Sequence, residues 1–215
     1  AQHLGVAEAD QHRAFGVLGE TPLDADVAQL VVSVYAMAYA VTLILGGRLG
    51  DLYGRRRTFV AGMFGFGLAS ALCGFAASPS VLIFGRLLQG ISAAVMAPQS
   101  LASIHALFPA SEKGRALGLY GATFGLASVG GQLLGGLLVS ADLWDMGWRS
   151  VFLINLPVIA LAIPAALILV RETRGEEAGG MDFGGAILLA LGVLGAAMLV
   201  QGGLQTLKDS REGLR

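Results

Sequence analysis

The sequence predicts an all-α fold, a polytopic bundle of membrane helices, and three observations carry that prediction. Hydrophobic residues make up 55% of the chain and charged residues only 13%, against roughly 25% charged in soluble domains. Almost uncharged apolar runs of about 20 residues, the length that crosses hydrocarbon, recur along the chain. The connectors between them are short and hold nearly all the charge. Backbone groups in lipid must be satisfied within their own segment, so each run is expected as a helix.

Taken in order, residues 1–27 form a polar leader with His3, His12 and Arg13. It lacks the apolar core of a signal peptide and is expected neither to span nor to target. Six spans follow, at 28–47, 58–77, 81–104, 116–138, 151–170 and 184–205. The first five, within 28–170, form the main bundle. Residues 171–215 read as a charged linker, an additional span and a polar tail. Between spans, 47–57 is glycine-rich and then basic, 77–80 is a neutral turn with Pro79, 108–115 holds Pro109 and a small charged cluster, and 141–150 is acidic and aromatic.

Several functions are excluded at this stage. A net charge of -1, with basic residues confined to connectors, gives no footprint for nucleic acid. Cys73 is the single cysteine and lies inside an apolar run, where a small packed core residue is expected. His3 and His12 have no ligand constellation around them, so no metal is expected. Gly65-Phe66-Gly67 resembles half of a dinucleotide fingerprint, but no strand precedes it. No nucleophile with a base and no phosphate loop appears on a connector, which argues against an enzyme and for no cofactor.

Orientation follows from the side on which basic residues collect, since Lys and Arg are retained in the cytoplasm. Arg48, Arg55, Arg56, Arg57, Lys113, Arg115, Arg171 and Arg174 fall in one set of connectors, against Arg149 in the other. The 47–57 connector is therefore expected inside and the 141–150 connector outside. A multi-pass place in the cytoplasmic membrane is implied. Trp144 and Trp148 then stand at the outer headgroup level, where indole rings anchor.

Four motifs carry chemistry. Gly47-Arg48-Leu49-Gly50-Asp51-Leu52-Tyr53-Gly54-Arg55-Arg56 resembles, in its pattern G-x-L-x-D-x-x-G-R-R, the cytoplasmic signature loop that follows the second membrane helix of the major facilitator superfamily; Leu52 departs from the usual basic residue. Gly85-Arg86-Leu87-Leu88-Gln89-Gly90, followed by small residues, resembles the family's fourth-helix motif. Gly131-Gln132-Leu133-Leu134-Gly135-Gly136 is similar to the fifth-helix antiporter motif, with Gln132 in place of its proline. The stretch 148–157, from Trp148 to Pro157, is similar to the opening of the sixth helix in fourteen-helix drug:proton antiporters. The span at 184–205 matches the extra helix that branch inserts between its halves. The resemblance runs from about residue 28 to 205, the second to about the seventh helix, less than half of a complete transporter. The first helix of the family and its acidic residue have no counterpart in the leader.

That resemblance implies an amino-terminal part of a proton-coupled exporter of amphipathic or cationic compounds, with membrane lipid, protons and a carboxy-terminal half as partners. Gly47, Asp51, Gly54, Arg55 and Arg56 would form the gating loop. Arg86, Gln89, Gln132, Tyr35 and Tyr39 are candidates for the proton or substrate pathway. An arginine inside a span costs roughly 2.5 to 3.5 kcal/mol or more, so it turns to a cavity, to a partner, or back to the headgroups. Tyr35 and Tyr39, one helical turn apart, share a face that either lines a path or packs. Gln132 either faces the path or bonds a neighbouring helix. Gly121, Gly125, Gly131, Gly135 and Gly136 are expected to let another helix approach closely. Two other readings stand beside the exporter: a non-transporting remnant or subunit of an interrupted transporter, and an uptake carrier for a sugar or small metabolite. The neighbouring coding sequence separates the first two. An acid-bearing helix upstream and further spans downstream are expected for the exporter, whereas an isolated gene with its own start and stop marks the remnant.

Overall fold

The structure, a computed structural model, describes residues 25–142 and 146–175, with positions 185 and 192 in addition. The leader up to residue 24, Trp144, and the expected span at 184–205 apart from those two positions lie outside the described residues. Among the described residues there is no strand, and five helices are long and apolar enough to cross a membrane. They are α1 (Ala25–Tyr53), α2 (Arg55–Gly74), α3 (Pro79–Leu107), α4 (Ala110–Ala141) and a composite fifth. The fifth starts as a 3-10 turn at Gly147–Arg149 and continues through α5 (Ser150–Leu153) and α6 (Asn155–Leu169).

Helix limits overrun the hydropathy limits at most ends, whereas α2 stops at Gly74 and α6 at Leu169, short of the expected 77 and 170. α1 has 29 residues, about 43 Å at 1.5 Å rise, so it stands well beyond a hydrocarbon core of about 30 Å. The stretch 47–53, expected as part of a loop, is the last two turns of this helix, and Gly54 alone separates α1 from α2. Hydropathy marks where lipid ends, whereas backbone bonding continues until a residue breaks it. Gly54 does so with φ +102°, a conformation closed to most side chains. At the other end of α2, Phe75–Ser78 makes the turn, and Ser78 caps α3 by accepting from the Val81 amide at 3.4 Å, with Pro79 in the first helical position.

α3 is the centre of the packing. It lies against both α1 and α2, α2 carries α6 on its other side, and α4 touches the group only lightly. Small residues set these distances, as expected for helices that associate in lipid. A Cβ on Gly90 would meet the Tyr35 carbonyl oxygen at 2.5 Å and the Ala38 Cβ at 2.8 Å, and one on Gly46 would overlap the Ala94 carbonyl. On the α2 side, a Cβ on Gly85 would lie 2.6 Å from the Cys73 sulfur, and one on Gly62 2.6 Å from Met96 Cγ. Pro98 lies inside α3 and has no amide to give the Ala94 carbonyl one turn back. That same carbonyl is the one a Cβ on Gly46 of α1 would overlap.

Burial follows from this arrangement. Cys73, Ala76 and Leu82 form a buried cluster at the turn between α2 and α3, with Val31, Val81, Trp148 and Phe152 packed on it. Trp148, expected at the headgroup level, thus joins the packed end of the bundle. The large apolar side chains left exposed, such as Phe64, Leu68, Phe84, Leu126 and Ile168, lie on the outside of the described bundle, as suits helices whose surroundings are lipid or other helices and not water.

Two substitutions test this packing. Gly46→Ala is expected to destabilise by about 1 to 3 kcal/mol through overpacking against a backbone atom, read as a fall in melting temperature in detergent. Gly118→Ala on α4, where a Cβ would meet nothing within 4 Å, is expected to leave the melting temperature unchanged or slightly raised, since alanine favours a helix.

Candidate functional site: a clasped basic end and a buried polar cluster

At the basic end, Gly46 and Gly50 are one turn apart on α1 and both face Gln99 of α3. Gln99 is 1% exposed and donates from Nε2 to the Gly46 carbonyl at 2.7 Å and to the Val95 carbonyl at 3.1 Å. A Cβ on Gly50 would overlap the Gln99 side chain, while one on Gly47 would lie an ordinary 3.7 Å from Pro98. The close approach is thus made by Gly46, just before the signature stretch, and by Gly50 within it, and the buried Gln99 amide holds it.

Asp51 and Arg55 follow. Their side chains are 3.3 Å apart, at i and i+4 across the α1–α2 joint, and Arg55 Nη1 also donates to the Ala102 carbonyl of α3 at 3.1 Å. The sequence suggests Asp51 as an acid at a helix start, positioned to take backbone amides. It lies instead in the last turn of α1, so no free amides stand beside it, and its partner is the guanidinium. The acid at a helix start is Glu172.

Gly54 is the residue before α2 and has no side chain with which to cap it. The Arg56 amide donates to Glu172 Oε1 at 3.0 Å, and the Arg55 amide donates to the Thr173 carbonyl at 2.9 Å. Both orphan donors are thereby satisfied by a segment more than 110 residues away. In return, Arg56 Nη1 donates to the Leu167 and Val170 carbonyls, each at 3.3 Å, at the end of α6. An acid sits at the positive end of α2 and a base at the negative end of α6, as the helix dipoles favour. The second oxygen of Glu172 is 3.7 Å from Nε of both Arg56 and Arg57. A side chain at Gly54 would collide with this carboxylate.

Toward the opposite end, Arg86 stands two turns into α3, about 10 Å from its start at Pro79. Its guanidinium turns onto neighbouring helices. Nε donates to the Val31 carbonyl of α1 at 3.2 Å, Nη1 donates to Gln89 Oε1 at 2.9 Å, and Cζ lies 4.1 Å from the Tyr35 ring centroid. Such a face-on cation is attracted by the ring quadrupole. Gln89 is 1% exposed, and its Nε2 donates to Ser70 Oγ of α2 at 2.7 Å. Asn155 of α6 donates to the same oxygen at 3.4 Å. Tyr39 stacks beside Tyr35 with ring centroids 6.4 Å apart. One connected polar cluster therefore joins α1, α2, α3 and α6. At this end the turn that follows α2 is tied to the fifth span, because Arg149 Nη2 donates to the Ala76 carbonyl at 2.9 Å.

α4 takes no part in either cluster. Gln132 is exposed, and a Cβ on Gly121, Gly125, Gly131, Gly135 or Gly136 would meet nothing within 4 Å. Among the described residues no helix closes on this stripe. Of the residues named from sequence, Arg86, Gln89, Tyr35 and Tyr39 come together, as do Gly54, Asp51, Arg55 and Arg56. Sequence reading missed Ser70, Gln99 and Glu172. A glutamine in an apolar run four residues after Val95 was a visible signal for Gln99; the partnership of Glu172 with a helix start 116 positions earlier had no local signal.

A family model described as Major Facilitator Superfamily matches residues 2–198. The chain is 45% identical to a probable actinorhodin transporter of Streptomyces coelicolor over 78% of its own length and 29% of that protein's. It is 42% identical to a puromycin resistance protein of Streptomyces alboniger, over 74% of this chain and 31% of the relative. It is 35% identical to a tetracenomycin C resistance and export protein of Streptomyces glaucescens, over 87% and 38%. The chain spans about a third of the length of these curated relatives. An all-helical bundle of apolar spans, the signature stretch at its basic end and this match together place the chain, as a multi-pass membrane protein, in the Major Facilitator Superfamily.

Proposed function

We propose that this chain supplies amino-terminal helices of a proton-coupled exporter of amphipathic or cationic compounds, working by rocking one helix bundle against another around a midplane site. The observation that carries the proposal is Arg86. A guanidinium within a membrane span is expensive unless partnered, and here it is held by Val31, Gln89 and the Tyr35 ring at the meeting of two helices. A cation fixed beside a connected row of amides and hydroxyls suits a role in relaying protons or in contacting substrate. Relatives named for actinorhodin transport, tetracenomycin C export and puromycin resistance support efflux over uptake.

In this reading the basic end faces the cytoplasm, in the cytoplasmic membrane, in accord with retention of basic residues there. Substrate enters from that side or from the inner leaflet. The loop around Asp51, Gly54, Arg55 and Arg56 gates access by engaging a carboxy-terminal half. The open stripe of α4, with Gln132 and Gly121, Gly125, Gly131, Gly135 and Gly136, faces the remaining helices of the carrier, and polar Gln132 contributes to the path.

In the transporter expressed from its complete reading frame, Arg86→Ala is expected to lower proton-driven efflux by roughly 10- to 100-fold, the worth of one or two hydrogen bonds to a buried charge, with membrane insertion intact. Arg86→Lys retains the charge but not the planar fork, and is expected to recover only part of the rate. Drug accumulation in cells and proton-gradient-driven uptake into inverted vesicles measure this; unchanged efflux removes Arg86 from the mechanism.

A further inference from the structure

We infer that Glu172 is the positioning residue of the loop at the basic end, holding the α1–α2 joint in place from the far side of the bundle; this rests on the reading of that loop as a gate. The glycine at the joint cannot cap α2, and a side chain there would strike the Glu172 carboxylate. Position 54 is thus reserved for glycine by backbone conformation and by space alike, and the space is filled by Glu172. One carboxylate oxygen accepts the Arg56 amide at 3.0 Å. The other is buried without a hydrogen bond and faces two guanidinium groups at 3.7 Å. The contact is therefore one charge-assisted hydrogen bond plus Coulomb attraction, firm in register and without the several bonds of a bidentate lock.

Its place in the chain gives it mechanical meaning. Glu172 lies three residues beyond the end of α6 at Leu169, on the segment through which the bundle continues into the following part of the polypeptide. Thr173 adds the carbonyl that takes the Arg55 amide, and Gly175 is packed against Asp51, where a Cβ would come within 3.0 Å of the Asp51 Cβ. Four residues of the proposed gate are touched by this short strap: Gly54 and Arg56 by Glu172, Arg55 by Thr173, Asp51 by Gly175. A displacement of the strap pulls on the start of α2 before anything else. The strap and the loop move as one piece while Glu172 is seated, and the loop loses its orientation when it is not.

The test uses the transporter from its complete reading frame, in lipid nanodiscs for amide exchange and in proteoliposomes for transport. In Glu172→Ala, exchange of the Arg55 and Arg56 amides is expected to speed up about tenfold, the worth of a good helix cap, with amides of α3 unchanged. Maximal efflux is expected to fall several-fold while the half-saturating substrate concentration stays within about twofold, because substrate contacts are untouched. Glu172→Gln keeps an acceptor for the Arg56 amide and is expected to restore its protection and at least half of the rate. Amides that stay protected in Glu172→Ala overturn the clasp. Amides that open with turnover unaltered overturn its role in positioning the gate. Asp51→Asn in the same assay separates the two readings: if it transports normally, the loop is no gate; if it is impaired while Glu172→Ala is not, only the role of Glu172 falls.

Discussion

The constraint on which this bundle depends is that lipid offers no partner to a polar group, so a buried side-chain amide whose bonding is not completed within its own helix must find the rest on a neighbouring one. That requires helices close enough for a side-chain amide to reach a facing backbone. Gly46, Gly50 and Gly90 bring α1 to that distance from α3, and Gly62 and Gly85 do the same for α2. Gln99 then bonds the α1 backbone, and Gln89 bridges Arg86 to Ser70. Close approach and buried polarity are one design. Neither works without the other, because a longer separation would strand the amides and a bulkier residue would force it.

The same economy appears at the ends of α2, where bonding has run out within the helix and must come from elsewhere. At its start, Glu172 and Thr173 satisfy the first amides; past its finish, in the turn that follows, Arg149 takes the Ala76 carbonyl. These partners belong to the two ends of the fifth span, so α2 and the turn after it are fastened to that span at both ends, in the sense the helix dipoles favour, as well as packed against it. The basic residues gathered at the basic end thereby serve the packing of the helices. Arg56 caps α6 while its own amide is capped, and Arg55 ties three helices at once.

α4 shows the opposite case. Its glycines are numerous and none of its residues is buried among the described residues, so a glycine-rich helix is no evidence of close packing until something is packed on it. The glycines that do bring helices together are fewer: Gly46 and Gly50 one turn apart on α1, and Gly62, Gly85 and Gly90 set singly in α2 and α3. Small residues permit approach, and the facing surface decides whether it happens.

The chain itself, read as letters, determined that it is all-helical, that it crosses a membrane several times, which loops are basic, and which motifs mark its family, because lipid thickness and the cost of unpaired amides translate directly into apolar runs of fixed length. It also named Arg86 with Gln89, since local spacing on one helix survives folding unchanged. Tertiary structure alone decided where α1 ends, that Asp51 pairs with Arg55 while Glu172 caps α2, that Gly46 and Gly50 are the contact glycines, and that Gln89 and Gln99 are fully buried. Each of those depends on atoms from helices far apart in the chain, and no periodicity within a single segment records the position of another.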